Sequence, residues 1–370
     1  EDNNSVLSGF TIQHGTGTQA DIGYDIVGGG IYIFDCTPKI SNCIVENNAA
    51  YVGGGIFSEG AIGNGYSCPY LQGCTIRNNH AFYYAGGITS GRNSYMEFDE
   101  EELCNIYLNT AALCNDLGGS GLENEPTIAY IDTFTVMEPD NFFFYNEYVN
   151  DQIYINNAKV TPLNQDLYVS PTGDDNNSGT TTDEPLKTIA RALINIASDS
   201  SHPNTIHIAD GIYSPSLTNE KFPLNCRSYI SLEGEDKYTT ILDAEYISPI
   251  FYSSLDLERS YSLKNLTFQH SDKGYTVQIN QPRNVFLQDL ILKENLVDGA
   301  SALVVSSISS TLTDSTNIYL NNIEIIDNVG RTGAAFGVIV DLTAENLLIK
   351  NNTPEYNSHT ILGGGLKIGG

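Results

Sequence analysis

The run Asp174-Asp175-Asn176-Asn177-Ser178-Gly179 supplies oxygen donors of the kind that bind calcium, with Asp174, Asp175 and Asn177 as the candidate ligands. It lacks the full ligand spacing and the closing bidentate Glu of an EF-hand loop, so a solvated turn competes with the metal reading. Calcium is the one cofactor to which the residues point. Asp272 and Glu294 are the candidate carboxyl pair for glycoside hydrolysis, which in its inverting form needs two carboxyls roughly 6.5–9.5 Å apart. His14 and His270 follow Gln13 and Gln269 in two similar stretches. A His can act as a general acid or base, but recurrence at matching places points to a turn residue. Cys43 and Cys74 also hold matching places, preceded by Cys36 and Cys68. They read either as stacked small buried side chains or as a Cys43–Cys74 disulfide across neighbouring coils. No residue is assigned a catalytic role.

These residues sit on internal repeats. VLSGFTIQHG (6–15), KISNCIVENN (39–48) and YLQGCTIRNN (70–79) share one pattern. So do SLKNLTFQHS (262–271), FLQDLILKEN (286–295), YLNNIEIIDN (319–328) and TAENLLIKNN (343–352). Each has an apolar residue, two polar or small residues, a second apolar residue, one variable residue and a third apolar residue. The second apolar residues are Phe10, Cys43, Cys74, Leu266, Leu290, Ile323 and Leu347. A helix would place its apolar residues at a 3.6-residue period. Two short strands joined by a bend fit instead, each pointing alternate residues inward. Coils of roughly two dozen residues, lengthened by loops, make a solenoid. Five residues beyond the second apolar position stand Asn48, Asn79, Asn295, Asn328 and Asn352, which predicts a stacked amide ladder. GGGIYI (28–33), GGGIFS (53–58), GGITSG (86–91) and GGGLKI (363–368) recur behind the first motif, as tight turns leading into the next strand.

The fold expected is all-β, a right-handed parallel β-helix, with one amphipathic capping helix near 185–197. Thr182 or Asp183 is its expected N-cap, and Leu186, Ile189, Ala190, Leu193 and Ile194 its apolar stripe. Residues 166–250 read as a cap ahead of coils that begin near Ser262, because a solenoid end exposes apolar core and strand edges. Two domains follow: 1–165, the closing part of a first β-helix with a linker, and 166–370, the cap and first coils of a second. The aromatic run NFFFYNEY (141–148) reads as closing coil or as a sugar-stacking platform.

Asp plus Glu number 45 against 17 Lys plus Arg, a net charge of −28. Such a chain repels phosphate backbones and anionic lipid, which argues against nucleic-acid partners. No stretch approaches the roughly 18 apolar residues of a membrane helix. The seven cysteines include no Cys-x-x-Cys pair, so zinc is not expected.

DLYVSPTGDDNNSG, DEPLKTIARAL and TIHIADGIYS (within 166–214) together resemble the opening of bacterial secreted pectin-lyase-like β-helix proteins. The alternation of GGGI with IVENN and IRNN is similar to the repeats of polymorphic outer-membrane proteins. The resemblance implies bacterial extracellular or cell-surface display, often within a very long chain. It does not specify activity. Asp272 and Glu294 lie outside the Asn-x-Asp and Asp-Asp motifs of polygalacturonases, and no Arg lies in the Arg-x-Pro-x-x-Arg arrangement of pectate lyases. The function expected is a non-enzymatic structural or adhesive scaffold; the alternative is a carbohydrate-active enzyme or binding module. The expected partners are adjoining modules or further copies end to end, and extracellular polysaccharide or a cell surface. Glu1–Asn4 leads directly into a coil motif and Gly363–Gly370 closes on one, from which either a polypeptide that continues at both ends, as a piece of one large monomer, or coaxial head-to-tail stacking into a fibre is expected.

Overall fold

The computed structural model describes residues 5–20, 26–61, 65–119, 126–139, 142–143, 151–253, 259–272, 274–280, 282–306, 317–336, 341–354 and 366–368. The chain divides into two units, Glu1–Thr161 and Pro162–Gly370.

In the first unit, short strands repeat from coil to coil and pair in parallel. Val6–Ser8, Lys39–Ser41 and Tyr70–Gln72 stack in one row. Thr11–Gln13, Ile44–Glu46, Thr75–Arg77 and Cys104–Tyr107 stack in the next. Ala49–Val52, His80–Tyr84 and Thr110–Leu113 form a third row, and Ile31–Phe34, Ile56–Glu59 and Ile88–Ser90 a fourth. Ile128–Phe134 continues the stack across a register shift, and Gln152–Ala158 follows it in register. The second unit repeats the design with longer strands. Arg259–Gln269, Pro282–Lys293, Asn317–Ile326 and Asp341–Lys350 lie side by side, and Leu266, Leu290, Ile323 and Leu347 align in one column.

Seven repeats bend twice in left-handed backbone, and the Cys104 rung does so only at its second bend. The first bend residues are Gly9, Asn42, Gly73, Asn265, Asp289, Asn322 and Asn346, with φ between 51° and 77°. The second are His14, Asn47, Asn78, Leu108, His270, Glu294, Asp327 and Asn351, with φ between 54° and 60°. Gly, Asn and Asp tolerate this region best, which explains their repetition before each inward apolar residue. His14 and His270 are thus turn residues, as their spacing indicates.

The glycine triplets have a further cause. Gly28 and Gly53 have positive φ, but Gly29 and Gly54 do not. A Cβ on Gly29 would collide with the carbonyl of Gly54, and one on Gly54 with that of His80. The middle glycine is therefore required by the close approach of the next coil.

The inward columns are buried, with two departures. Cys43, Cys74, Leu266, Leu290 and Ile323 are buried, but Phe10 is 58% exposed and Leu347 is half-buried. Among the described residues each of these two has a stacked coil on one side only.

The helix is shorter than the sequence suggests, Ile189–Asn195, with Thr188 as N-cap. Residues around Pro185 do not turn helically because Leu186 is pulled into extended pairing, donating to the Tyr168 carbonyl and accepting from Ser170 N–H. Ile189, Ala192, Leu193 and Ile194 pack inward, in contact with the strands Leu167–Val169, Asn204–Ile208 and Leu224–Cys226. Residues 166–250 are not a separate cap. Leu167–Val169, Asn204–Ile208 and Ile230–Gly234 are rungs of the same parallel sheet as the coils from 259 onward. The loops inserted between these rungs obscure the repeat in the sequence.

Candidate functional site

The apolar half of each strand fixes its outward half, since side chains alternate across a strand. On the long sheet of the second unit this produces outward columns. One runs Thr205, Ser231, Ser262, Phe286, Tyr319, Thr343. Its neighbour runs His207, Glu233, Lys264, Gln288, Asn321, Glu345. The Phe286 and Tyr319 rings stack at 4.7 Å and 8° while remaining 48% and 37% exposed. Lys264 pairs with Glu233 at 2.7 Å. His207 stacks on Tyr168 at 5.2 Å and meets Asp166 at 3.2 Å. A groove of about 540 Å³ lies over this end of the sheet, lined in part by Tyr168, His207, Glu233, Glu235 and Asn265.

A second cluster forms where three coils meet. His270 Nδ1 lies 2.9 Å from Asp243 Oδ2, and Nε2 lies 3.4 Å from Glu294 Oε2. Gln269 donates to Asp243 at 2.8 Å, and Tyr246 covers the imidazole at 4.8 Å between centroids. Asp243 aligns with Gln269 and Gln269 with Lys293, so Asp243 and Glu294 stand two rungs apart, about 9–10 Å at ordinary strand spacing. Spacing alone suggested Asp272 as the partner of Glu294; the structure also places Asp243 and Glu294 at the two ring nitrogens of His270. Asp243 was missed because its coil lies in the stretch read as a cap.

The calcium candidates serve the backbone. Asp175 Oδ1 accepts from Lys187 N and Thr188 N at 3.0 and 2.9 Å, and its Oδ2 accepts from the Thr188 hydroxyl at 2.9 Å. Asp174 Oδ1 accepts from Asn176, and Asn177 Nδ2 donates to the Pro185 carbonyl. The loop is a clasp that sets the helix entry. Among the described residues no three His, Cys, Asp or Glu side chains converge as a metal site. Of the aromatic run, Phe142 and Phe143 are buried; Asn141 and residues 144–148 lie outside the described residues, as do Glu1–Asn4 and Gly363–Gly365.

Cys43 and Cys74 are thiols, not a disulfide. Cys43 donates to the Leu7 and Ser41 carbonyls, Cys74 to those of Ile40 and Gln72. Cys104 extends the column. Its hydrogen bond with Cys74 lowers the Cys74 thiol and raises its own.

The Asn ladders run through both units. Asn48, Asn79 and Asn109 each donate to the next amide or carboxyl and to a strand carbonyl. Asn295 and Asn328 do the same, and Asn352 donates to the Ile325 carbonyl. The first ladder ends on Asp116, whose Oδ1 accepts from Asn109 at 2.9 and 3.1 Å. Burial pushes this carboxyl up to about 7. Glu220, also buried, accepts from Ile189 N and Ala190 N at 2.8 and 3.0 Å at the helix N-terminus. Burial raises it to about 7 against the lowering effect of those bonds. Neither acid carries a sequence signal beyond its type.

Residues 171–241 match a family described as a protein of unknown function (DUF1565), a family of β-helix proteins. The chain is a parallel β-helix protein. In this β-helix the matched segment holds the Asp175 clasp, the helix and Glu220, the parts that seat the helix on its rungs. No curated protein matches the chain.

Proposed function

We propose that this β-helix is a non-enzymatic scaffold displayed outside the cell, secreted or at the surface of a bacterium, with an adhesive outer face. The observation that supports this reading is the commitment of polar side chains to stacking. Both Asn ladders satisfy their buried amides rung by rung, and hydrogen-bonded buried networks rigidify a fold. A net charge of −28 suits a stiff, soluble display element. Coaxial association with another β-helix module is the partner such a stack favours, because a parallel coil offers the same hydrogen-bonding edge to any coil in register. The test is protease shaving of intact producing cells together with a reducing-sugar and unsaturated-uronide screen on a polysaccharide panel. Surface release without product formation supports the scaffold; turnover of any polysaccharide overturns it. Negative-stain microscopy of native material distinguishes filaments from isolated particles.

A second reading, a carbohydrate-active site of pectin-lyase type, is favoured by the Asp243–His270–Glu294 cluster. It requires that turnover found in the panel be abolished by Asp243→Asn.

A further inference from the structure

We propose that the outward face of the long sheet in the second unit binds a neutral glycan, with the Phe286–Tyr319 pair as its stacking platform. This rests on the reading of the chain as an adhesive scaffold and names the ligand class.

The argument starts from the register. Phe286 and Tyr319 are consecutive members of one outward column, and the members on either side are Ser262 and Thr343. The two rings cover each other's inner faces at 4.7 Å. Their outer faces look over a serine on one side and a threonine on the other, side chains too small to cover a ring. An aromatic face carries negative quadrupole charge and attracts polarised C–H groups. A pyranose presents such a C–H face and is about as thick as one rung of the sheet, roughly 4.7–4.9 Å. A sugar placed over Ser262 therefore continues the stack in the place that a third ring would take.

The surroundings select for hydroxyl-rich, uncharged ligands. Gln288 and Asn321, both exposed, stand beside the rings in the neighbouring column and offer amide donors and acceptors. Beyond Phe286 the column continues as Ser262 and Ser231, alongside the Lys264–Glu233 pair, which presents a donor and an acceptor 2.7 Å apart. The groove lined by Tyr168, His207 and Glu233 extends this track along the same sheet. Lys264 is already neutralised by Glu233, and Glu345 and Asp341 are further outward acids on this face. With a net charge of −28, the chain repels an acidic polysaccharide, so the complementary ligand is neutral.

The test is affinity electrophoresis of the full chain through gels containing laminarin, hydroxyethylcellulose, galactomannan or polygalacturonate. The chain is expected to be retarded by at least one neutral polysaccharide and not by polygalacturonate. Phe286→Ala and Tyr319→Ala are expected to weaken retention about tenfold each, while Tyr319→Phe retains it. Thermal melts identify any variant that fails to fold. Tyr154→Ala, at an exposed ring of the first unit stacked on the half-buried Tyr130, is expected to leave retention unchanged. Three results overturn the proposal: no retention by any neutral polysaccharide, retention by polygalacturonate alone, or undiminished retention in the folded double alanine variant. The first of these, with the chain found on the cell surface, leaves the scaffold reading standing. Sugar release by a chain whose retention depends on both rings supports the platform and overturns the scaffold reading.

Discussion

Replacing Asp116 by Asn should abolish a pH dependence that this one carboxyl imposes on the first unit. Asp116 is fully buried, its Oδ1 accepts two bonds from Asn109, and the Thr135 hydroxyl also interacts with this carboxyl and lowers it. Burial raises the carboxyl to about 7, against roughly 3.9 in an unfolded chain. The folded state thus holds a proton that the unfolded state releases from about pH 4 upward. The stabilisation is complete below about pH 4 and is lost as pH rises to about 7, with a slope of about 1.4 kcal/mol per pH unit and a total of about 4 kcal/mol. The amide that replaces the carboxyl has no such titration and keeps an oxygen to receive Asn109. It introduces a buried NH₂ group, costing about 1–3 kcal/mol. Asp116→Asn should therefore be less stable than the parent at pH 4 and about 1–3 kcal/mol more stable at pH 8. Hydrogen-exchange mass spectrometry on peptides covering 104–113 reads this locally, after correction for the intrinsic pH dependence of exchange. Peptides of the second unit serve as the internal control. An unchanged pH slope in Asp116→Asn, or destabilisation of equal size at both pH values, would refute the reasoning.

Glu220→Gln should do the same for the second unit. The parent loses about 3 kcal/mol as pH rises from about 4.5 to 7, because its carboxyl too is raised to about 7; exchange of peptides covering 187–196 reports it. Leu290→Ala, at a fully buried position with Leu266 and Ile323 as stacked neighbours, should cost about 2–5 kcal/mol in urea unfolding followed by tyrosine fluorescence. Asp175→Ala removes three bonds to the helix entry and should cost about 1–3 kcal/mol. Its signature is faster proteolysis at 171–188, with exchange in the strands from 259 onward unaltered.

The coil repeat was legible because the same physics acts on every rung. An inward residue must be apolar, the residue before it must tolerate positive φ, and the Asn five residues later must meet the next Asn. Leu266, Leu290 and Ile323 follow directly from that pattern. The rung of Cys104 and Asn109 keeps the inward residue and the Asn, but Leu103 replaces the positive-φ residue of the other rungs and its opening Glu101-Glu102-Leu103 disguises the first strand. The first three rungs of the second unit were hidden for another reason. Their loops carry the helix and the Asp175 clasp, so spacing loses its period although the strands remain in register. The helix start shifted from Thr182 or Asp183 to Thr188 because strand pairing at Leu186 outweighs local capping propensity. The outward columns were not legible. They depend on register across three or more rungs, and an exposed Phe286 or Tyr319 looks like any other aromatic until its neighbour is known.

The in-register stack itself is tested most directly by a distance across rungs. Gln288 and Asn321 are 33 residues apart in sequence, register partners in adjacent strands, and both exposed. Nitroxide labels on a Gln288→Cys/Asn321→Cys chain, with the parent chain as the labelling blank, should show strong dipolar and exchange broadening, as expected for Cα atoms about 4.8 Å apart. A spectrum that is the sum of the two single-label spectra, without broadening, would contradict the parallel β-helix and the scaffold built on it.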